Sequence, residues 1–267
     1  MISKEEMKAK GKYGFSDLVD IMKMLRAEGG CPWDREQTHK SIRSNMIEEA
    51  YELIEAIDTD DPVLMCEELG DVLLQVVFHS EISESEKRFN IDDVCDGICK
   101  KLIVRHPHVF GDVTAETSEE VLKNWDAIKK QTKKQNTDTS VMRSVSPSLP
   151  SLMRAHKLGS KGRKVGFDFE DTDEAMEKVY EEAKEAMDAF HSGNAERTEE
   201  EFGDLLLAVV NAARLAGVDS EQALYKANEK FINRFGHVEE LCRENGHSVK
   251  DTSREDKEKY WEKSKNL

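Results

Sequence analysis

Two acidic motifs in the second half of the sequence have the residue types and spacing of a metal-binding site. Glu182 and Glu185 are three residues apart with Glu181 beside them, and Glu201 and Asp204 are again three apart. Residues at this spacing share one face of a helix. Four carboxylates brought together repel one another unless they are protonated or a cation neutralises them. Oxygen ligands without His or Cys favour Mg²⁺, with Mn²⁺ as a substitute.

Basic and aromatic residues near these motifs are suited to binding a phosphorylated ligand. Arg197 lies one helical turn before the second acidic motif, and Lys230 and Arg234 are four residues apart further on. With Lys265 they could hold phosphates that a metal bridges. Trp261 either stacks on a base or packs over the site. Basic residues that only solvate a helix, and a Trp in the core, are the ordinary alternative.

The same acidic pattern occurs in the first half of the sequence, displaced by 133 residues. A second candidate metal site there consists of Glu49, Glu52, Glu68 and Asp71. A single EExxE in a chain with 55 acidic residues is usually a solvated helix face. Recurrence of both motifs at one offset instead indicates duplication of a helical unit. Common ancestry with relaxed function remains an open explanation.

The elements that must position these residues are helices. Apolar residues recur at helical spacing, which predicts a first helix from Phe15 to about Gly29, and others near 44–58, 62–84, 91–105, 118–133, 172–191, 196–216, 219–244 and 253–265. No segment alternates with a period of two. The sequence predicts an all-α fold of two tandem helical-bundle domains, at 1–133 and 152–267. A polar, Ser-rich stretch at 134–151 is expected to link them.

Composition narrows the class of protein. The net charge of −16 disfavours binding to nucleic acid or anionic membranes. The five cysteines form no CxxC pair, which argues against a disulfide framework or a zinc site and favours a reducing compartment. No apolar run approaches membrane-spanning length, and the N-terminus lacks the apolar region of a secretion signal. We therefore expect a cytoplasmic protein.

Several longer motifs resemble one known family. The motifs are CPWDREQTH, EEAYELIEAID, EELGDVLLQVVFHSEI, RHPHVFGD, VGFDF, KVYEEAKEAMDA, EEEFGDLLLAVVNAARLAG and KANEKFINRF. In this order, and over nearly the whole chain, they resemble the tandem-domain MazG nucleoside triphosphate pyrophosphohydrolases. The resemblance implies an all-α homodimer that uses a divalent cation to cleave nucleoside triphosphates to monophosphate and pyrophosphate, and so trims nucleotide pools.

The resemblance also implies roles for individual residues. The metal ligands and catalytic residues would be Glu182, Glu185, Glu201 and Asp204. Nucleotide contacts would come from Lys178, Glu181, Arg197, Asn228, Lys230, Arg234, Trp261 and Lys265. Arg197 stands where the family pattern has a Lys, so charge is kept but the geometry of that contact changes. Apart from the resemblance, the logic of phosphoryl transfer requires a group that orients or deprotonates the attacking water, directly or as metal-bound hydroxide; Glu182 is the candidate, and any of the four carboxylates could serve.

The two halves differ around their acidic motifs. The second half has Arg197, Asn211 and Asn228, where the first has Leu64, Phe78 and Cys99. Because a triphosphate needs donors to its oxygens, the first half is expected to be structural, regulatory or weakly active.

Other readings compete with a hydrolase. A non-enzymatic helical protein that binds a metal or a partner is the alternative function. A di-iron bundle is disfavoured because no named Glu begins an ExxH motif. The apolar residues Leu205, Leu206 and Val209 lie beside the second acidic motif. Because one small helical unit can hardly bury both this stripe and its remaining apolar surface, we expect a homodimer.

Overall fold

The structure, a computed structural model, describes residues 3–115, 117–121, 124, 125, 128 and 137–265. Within these residues every regular element is a helix, which confirms the all-α prediction. The chain divides into two compact units, Met1–Thr132 and Lys133–Leu267. Most of the helix expected at 118–133 lies outside the described residues, although 118–121 are helical.

The first unit contains seven helices within the described residues up to Phe110. They are α1 (Lys4–Ala9), α2 (Phe15–Arg26), α3 (Pro32–Glu36), α4 (Arg43–Asp58), α5 (Pro62–Ser85), α6 (Ile91–Arg105) and α7 (Pro107–Phe110). The long helix α5 packs against α2, α4 and α6. Its buried side chains Val77, Phe78 and Ile82 form a core with Met22 of α2 and Ile42. This core holds α4 and α5, which carry the first acidic pair of motifs, side by side.

The second unit repeats this arrangement of long helices. Its helices are α8 (Asp138–Arg143), α9 (Ser151–Lys164), α10 (Thr172–Ser192), α11 (Ala195–Leu215), α12 (Ser220–Glu244) and α13 (Arg254–Ser264). The most extensive packing is between α10 and α11. Buried alanines on both helices, Ala186 and Ala189 on α10 and Ala208 and Ala212 on α11, provide a thin interface. Small side chains let two helix backbones approach closely.

Helix boundaries follow local capping chemistry. The Asp61 side chain accepts hydrogen bonds from the amides of Val63 and Leu64, at 2.9 and 3.1 Å, and Pro62 occupies the first turn of α5. This satisfies two amides that lack partners inside the helix and confirms the start predicted at this Asp-Pro pair. Asp171 caps α10 in the same way through the amide of Glu174.

One stretch departs from the sequence prediction. Helices α8 and α9 lie where a linker and no further helix before 172 were expected. Val141 and Val145 are buried, and α8 packs against α9. Helix α9 contains Gly159 and Gly162, and glycine is a poor helix former. Each of them allows a close contact. A Cβ at Gly159 would lie 2.4 Å from Asn211 Oδ1, and one at Gly162 would lie 2.6 Å from the Phe167 carbonyl oxygen. Glycine is retained there for packing.

Candidate metal and nucleotide site

A tight antiparallel pair of helices positions the second acidic cluster. Helix α10 ends at Gly193, whose φ of 72° is the left-handed conformation that favours glycine. Asn194 follows at once and caps α11 by accepting a 3.1 Å hydrogen bond from the amide of Arg197. Because the turn is this short, α10 and α11 run side by side in opposite directions, and motifs near the turn on each helix face one another.

Three of the four predicted metal ligands converge. One carboxylate oxygen from each of Glu182, Glu201 and Asp204 lies within 4.8 Å of the others. Octahedral Mg²⁺ has ligands at about 2.1 Å, which separates adjacent oxygens by about 3.0 Å and opposite ones by about 4.2 Å. Oxygens no more than 4.8 Å apart are close to these separations, so the cluster has the size of a site for one such ion. Glu182 is buried and Asp204 is exposed, so the group opens to solvent on one side.

The fourth predicted ligand, Glu185, stands beside this group but outside the 4.8 Å set. Partial desolvation, together with electrostatic repulsion from the negative charges of Glu182 and Glu201, raises the pKa of Glu185 above its usual value. Crowding of like charges disfavours the ionised form. A divalent cation would remove this penalty, so the electrostatics fit the donor chemistry of a metal site.

Two cations flank the carboxylates, one from each helix. Lys178 Nζ lies 2.7 Å from Glu182 Oε1 and 3.0 Å from Glu181 Oε1, and these carboxylates raise the pKa of Lys178. On α11, Arg197 Nε lies 3.3 Å from Glu201 Oε1. In all three ion pairs the partners are three or four residues apart, about one helical turn. The cations are thus held where they can also contact phosphate oxygens of a ligand that reaches the carboxylates.

The other predicted basic residues line a separate cleft. Lys230, Arg234 and Lys265 border an open cavity of about 990 Å³ on α12 and the end of α13. Asn228 is exposed on α12 and is not one of the lining residues. The Trp261 ring packs 5.4 Å from Phe231, and the Arg234 guanidinium lies 5.9 Å over it. Trp261 therefore lies between Arg234 and the core formed by Val238, Cys242 and Tyr260, against which it packs.

The first unit contains a matching acidic cluster. Oxygens of Glu49, Glu68 and Asp71 lie within 4.8 Å of one another, and each residue is 133 positions before its counterpart. Glu52 stands beside them. Desolvation, followed by the charges of neighbouring carboxylates, raises the pKa of Glu49 and of Glu68. The two copies therefore share their carboxylate geometry.

Their surroundings differ at the position two helical turns beyond the cluster. Phe78 is buried in the first unit, with the Arg26 guanidinium 5.4 Å from its ring and the Trp33 ring 6.4 Å away edge-on. The corresponding residue of the second unit, Asn211, lies on a cavity. Leu64 and Cys99 likewise replace Arg197 and Asn228. The first copy has apolar groups where the second offers polar ones.

Sequence reasoning missed the ion pair next to Asn211. Asp168 accepts two hydrogen bonds from Arg214, at 2.5 and 3.1 Å, and both side chains are largely buried. These residues are 46 apart in sequence, too far for a spacing rule. The only available signals were the VGFDF motif, which contains Asp168, and the two glycines three apart in the preceding segment.

None of the described helices combines the length and apolar character needed to cross a membrane.

Comparison with known proteins agrees with the duplicated site. The MazG nucleotide pyrophosphohydrolase domain matches this chain twice, at residues 37–110 and 170–239. These ranges contain both carboxylate clusters. The chain is 45% identical over 251 residues to the nucleoside triphosphate pyrophosphohydrolase/pyrophosphatase MazG of Thermotoga maritima, covering 94% of this chain and 95% of that one.

Two further relatives bear similar names. The nucleoside triphosphate pyrophosphohydrolase of Escherichia coli K12 is 43% identical over 251 residues, covering 93% of this chain and 95% of its own. The protein of that name from Mycobacterium tuberculosis is 40% identical over 152 residues, covering 56% and 45%. With both domain matches and near full-length similarity, this chain belongs to the MazG nucleotide pyrophosphohydrolase family, in its tandem-domain form.

Proposed function

We propose that this protein hydrolyses nucleoside triphosphates, ribo- or deoxyribonucleotides, to nucleoside monophosphate and pyrophosphate in the second unit. The single observation that carries the proposal is the convergence of Glu182, Glu201 and Asp204 within 4.8 Å, with a cation beside them on each helix. Carboxylates alone would bind only a metal ion. Carboxylates flanked by Lys178 and Arg197 match a metal-bound polyphosphate.

The metal would be Mg²⁺, with Mn²⁺ able to replace it. The donors are all carboxylate oxygens, and their span fits octahedral geometry. Glu182, Glu185, Glu201 and Asp204 would hold the metal. Mg²⁺ bound there supplies charge neutralisation at the phosphate oxygens and helps to align the triphosphate.

The basic and acidic side chains around the metal would have separate roles in the reaction. Lys178 and Arg197 would contact phosphate oxygens, and Lys230, Arg234 and Lys265 would attract and hold the polyphosphate from the basic cleft. A water attacks one phosphorus in line, the anhydride link between the α- and β-phosphates breaks, and pyrophosphate leaves. Glu182, the buried member of the cluster, would accept the proton of that water.

The first unit would bind nucleotide weakly and serve in structure, dimer contacts or regulation. Its carboxylates are retained, but Phe78 fills the place of a polar group and Leu64 replaces the cation Arg197. A polyphosphate bound there would find fewer donors, and each unpaired oxygen carries a desolvation cost.

Homodimerisation and a cytoplasmic location complete the proposal. Large apolar side chains are exposed on α10 and α11, among them Met187, Phe190, Phe202 and Leu206. A cluster of this kind on helices that also carry the carboxylates is typical of a buried subunit interface. Burying it in a second copy would also shield the site from bulk water.

The experiment that tests the function is release of pyrophosphate from nucleoside triphosphates by the purified chain with Mg²⁺. The matched control is Asp204→Asn, which removes one carboxylate charge and keeps the shape. Pyrophosphate released by the wild type and not by the variant supports the proposal. No release over a full panel of ribo- and deoxyribonucleotides would instead favour the non-enzymatic reading, a helical protein that binds metal or a partner.

A further inference from the structure

A second cavity in the second unit remains without a role. It has a volume of about 490 Å³ and is more enclosed than the basic cleft, and its walls are mostly apolar. Helix α9 contributes Gly159 and Gly162, the following loop contributes Phe167 and Asp168, and α11 contributes Leu207 and Asn211. A space of this volume, with few polar groups on apolar walls, is characteristic of a small-molecule site.

The cavity lies on the same helix faces as the carboxylates. Asn211 comes seven residues after Asp204 on α11, with Leu207 between them on that face. On α10, Glu174 also lines the cavity and comes eight residues before Glu182. At 1.5 Å per residue, both separations are about 10–12 Å along the helix axes. A nucleotide whose phosphates contact the carboxylates would extend along these helices, with its base toward the cavity.

Two glycines make the cavity possible. A Cβ at Gly159 would come within 2.4 Å of Asn211 Oδ1 and 2.6 Å of Arg214 Nε. One at Gly162 would lie 2.6 Å from the Phe167 carbonyl oxygen. Gly159 lets α9 approach α11, and Gly162 lets the loop that carries Phe167 fold back against α9.

The polar groups at this wall are fixed in place. Arg214 is 95% buried at its side chain and is held by both oxygens of Asp168. Its Nη2 also donates a 3.3 Å hydrogen bond to Asn211 Oδ1. The amide nitrogen of Asn211 and the buried Arg214 Nε have no hydrogen-bond partner anywhere in the described part of the chain. Arg214 Nε packs against Gly159, and Arg214 is not one of the lining residues of the cavity, so the Asn211 amide nitrogen is the donor left for a ligand acceptor there.

An aromatic ring stands at the entrance. Phe167 lines the cavity, yet 83% of its surface is exposed. Its neighbour along the chain, Gly166, has a positive φ of 79°, which holds the loop in a conformation that favours glycine. A flat ring left exposed beside a cavity is suited to stack on another flat ring.

We infer that this cavity, lined by Gly159, Phe167 and Asn211, binds the base of the nucleotide, with Phe167 stacking on it and the Asn211 amide hydrogen-bonding to its edge. Arg214 acts as a positioning residue, because it orients Asn211. The inference rests on the proposed function for the phosphate end of the ligand. Trp261 then packs between Arg234 and the core and has no part in base binding.

The first unit provides an internal comparison. Phe78, the counterpart of Asn211, is buried with Arg26 over its ring and Trp33 at its edge. The place in the first unit that corresponds to the cavity wall at Asn211 is therefore filled by side chains of the protein itself. A base pocket in one copy and a filled core in the other would make nucleotide binding tighter in the second unit than in the first.

The test uses calorimetric titration of the full chain, in Mg²⁺, with the four ribonucleoside monophosphates and with ribose 5-phosphate as the probe that lacks a base. Monophosphates should bind more tightly than ribose 5-phosphate. Phe167→Ala should weaken monophosphate binding about 5- to 150-fold, the range expected for loss of one base–aromatic stack, and leave ribose 5-phosphate unchanged. Asn211→Ala should alter the order of preference among the bases. Phe110→Ala, an exposed Phe of the first unit, is the matched control.

Two outcomes separate this inference from the proposed function. If the wild type releases pyrophosphate but Phe167→Ala and Asn211→Ala bind every monophosphate as the wild type does, the base pocket is refuted and the function stands. If the wild type releases no pyrophosphate, the titration still decides: equal binding of monophosphates and ribose 5-phosphate overturns the inference. Circular dichroism of each variant shows whether the fold is intact.

Discussion

Replacing one carboxylate in each unit distinguishes the two copies. Asp204→Asn and Asp71→Asn make the same change at positions 133 residues apart, each in a three-carboxylate group. Asn keeps the size of the side chain and removes the negative charge. If the second unit alone performs hydrolysis, only Asp204→Asn should lower turnover strongly.

The magnitude follows from the charge that is removed. Two unit charges 4 Å apart interact by about 4 kcal/mol at an effective dielectric of 20, and each 1.4 kcal/mol corresponds to about tenfold in rate. Full loss of that interaction would lower kcat/KM about 10³-fold. Because Asp204 is exposed, water screens part of it, and we expect a loss of about 10²-fold or more. Asp71→Asn should change kcat/KM by less than about threefold.

The assay is steady-state release of pyrophosphate at saturating Mg²⁺, with circular dichroism and thermal melting to verify folding. Glu185→Gln and Glu52→Gln form a second matched pair. Glu185→Gln should lower turnover strongly, and Glu52→Gln should change it only slightly. Equal loss of activity from Asp71→Asn and Asp204→Asn would refute the division of labour, and would mean that both carboxylate groups bind the reacting nucleotide.

Three further outcomes are expected. EDTA should abolish turnover, and either Mg²⁺ or Mn²⁺ should restore it; turnover that persists in metal-free buffer would rule out the carboxylate site. Because the pKa values of Glu49, Glu68 and Glu185 are raised, the metal-free fold gains stability from these groups below the unfolded pKa and loses it as pH rises through the folded pKa. Mg²⁺ should therefore raise Tm more at pH 8 than at pH 5. An equal increase at both pH values would contradict the inference that like charges repel one another in the carboxylate clusters. Light scattering at micromolar concentration should give the mass of two chains, whereas the mass of one would exclude the homodimer.

Much of the fold was available from periodicity and caps. The helix expected at 91–105 matches Ile91–Arg105, and the one expected at 62–84 matches Pro62–Ser85 to one residue. These segments have strong start signals and a regular apolar face. Helix α9 was not predicted, and its two glycines are explained only by tertiary contacts, that of Gly159 with α11 and that of Gly162 with the loop at Phe167.

The candidate site was partly accessible from sequence. Helical spacing and the repeat placed Glu182, Glu201 and Asp204 on facing helices, because short-range periodicity determines a helix face. Spacing could not separate Lys230 and Lys265, which line their own cleft, from the cations beside the carboxylates. The Asp168–Arg214 pair depends on how the loop after α9 folds back on α11, which local sequence does not encode.

The most direct measurement of the central claim is the identity of the first products. Nucleoside triphosphate, Mg²⁺ and the wild-type chain would be followed by ³¹P NMR from the earliest time points, with Asp204→Asn as the inactive reference. Simultaneous appearance of nucleoside monophosphate and pyrophosphate in equal amounts is the expected result. Nucleoside diphosphate and inorganic phosphate as initial products would contradict it.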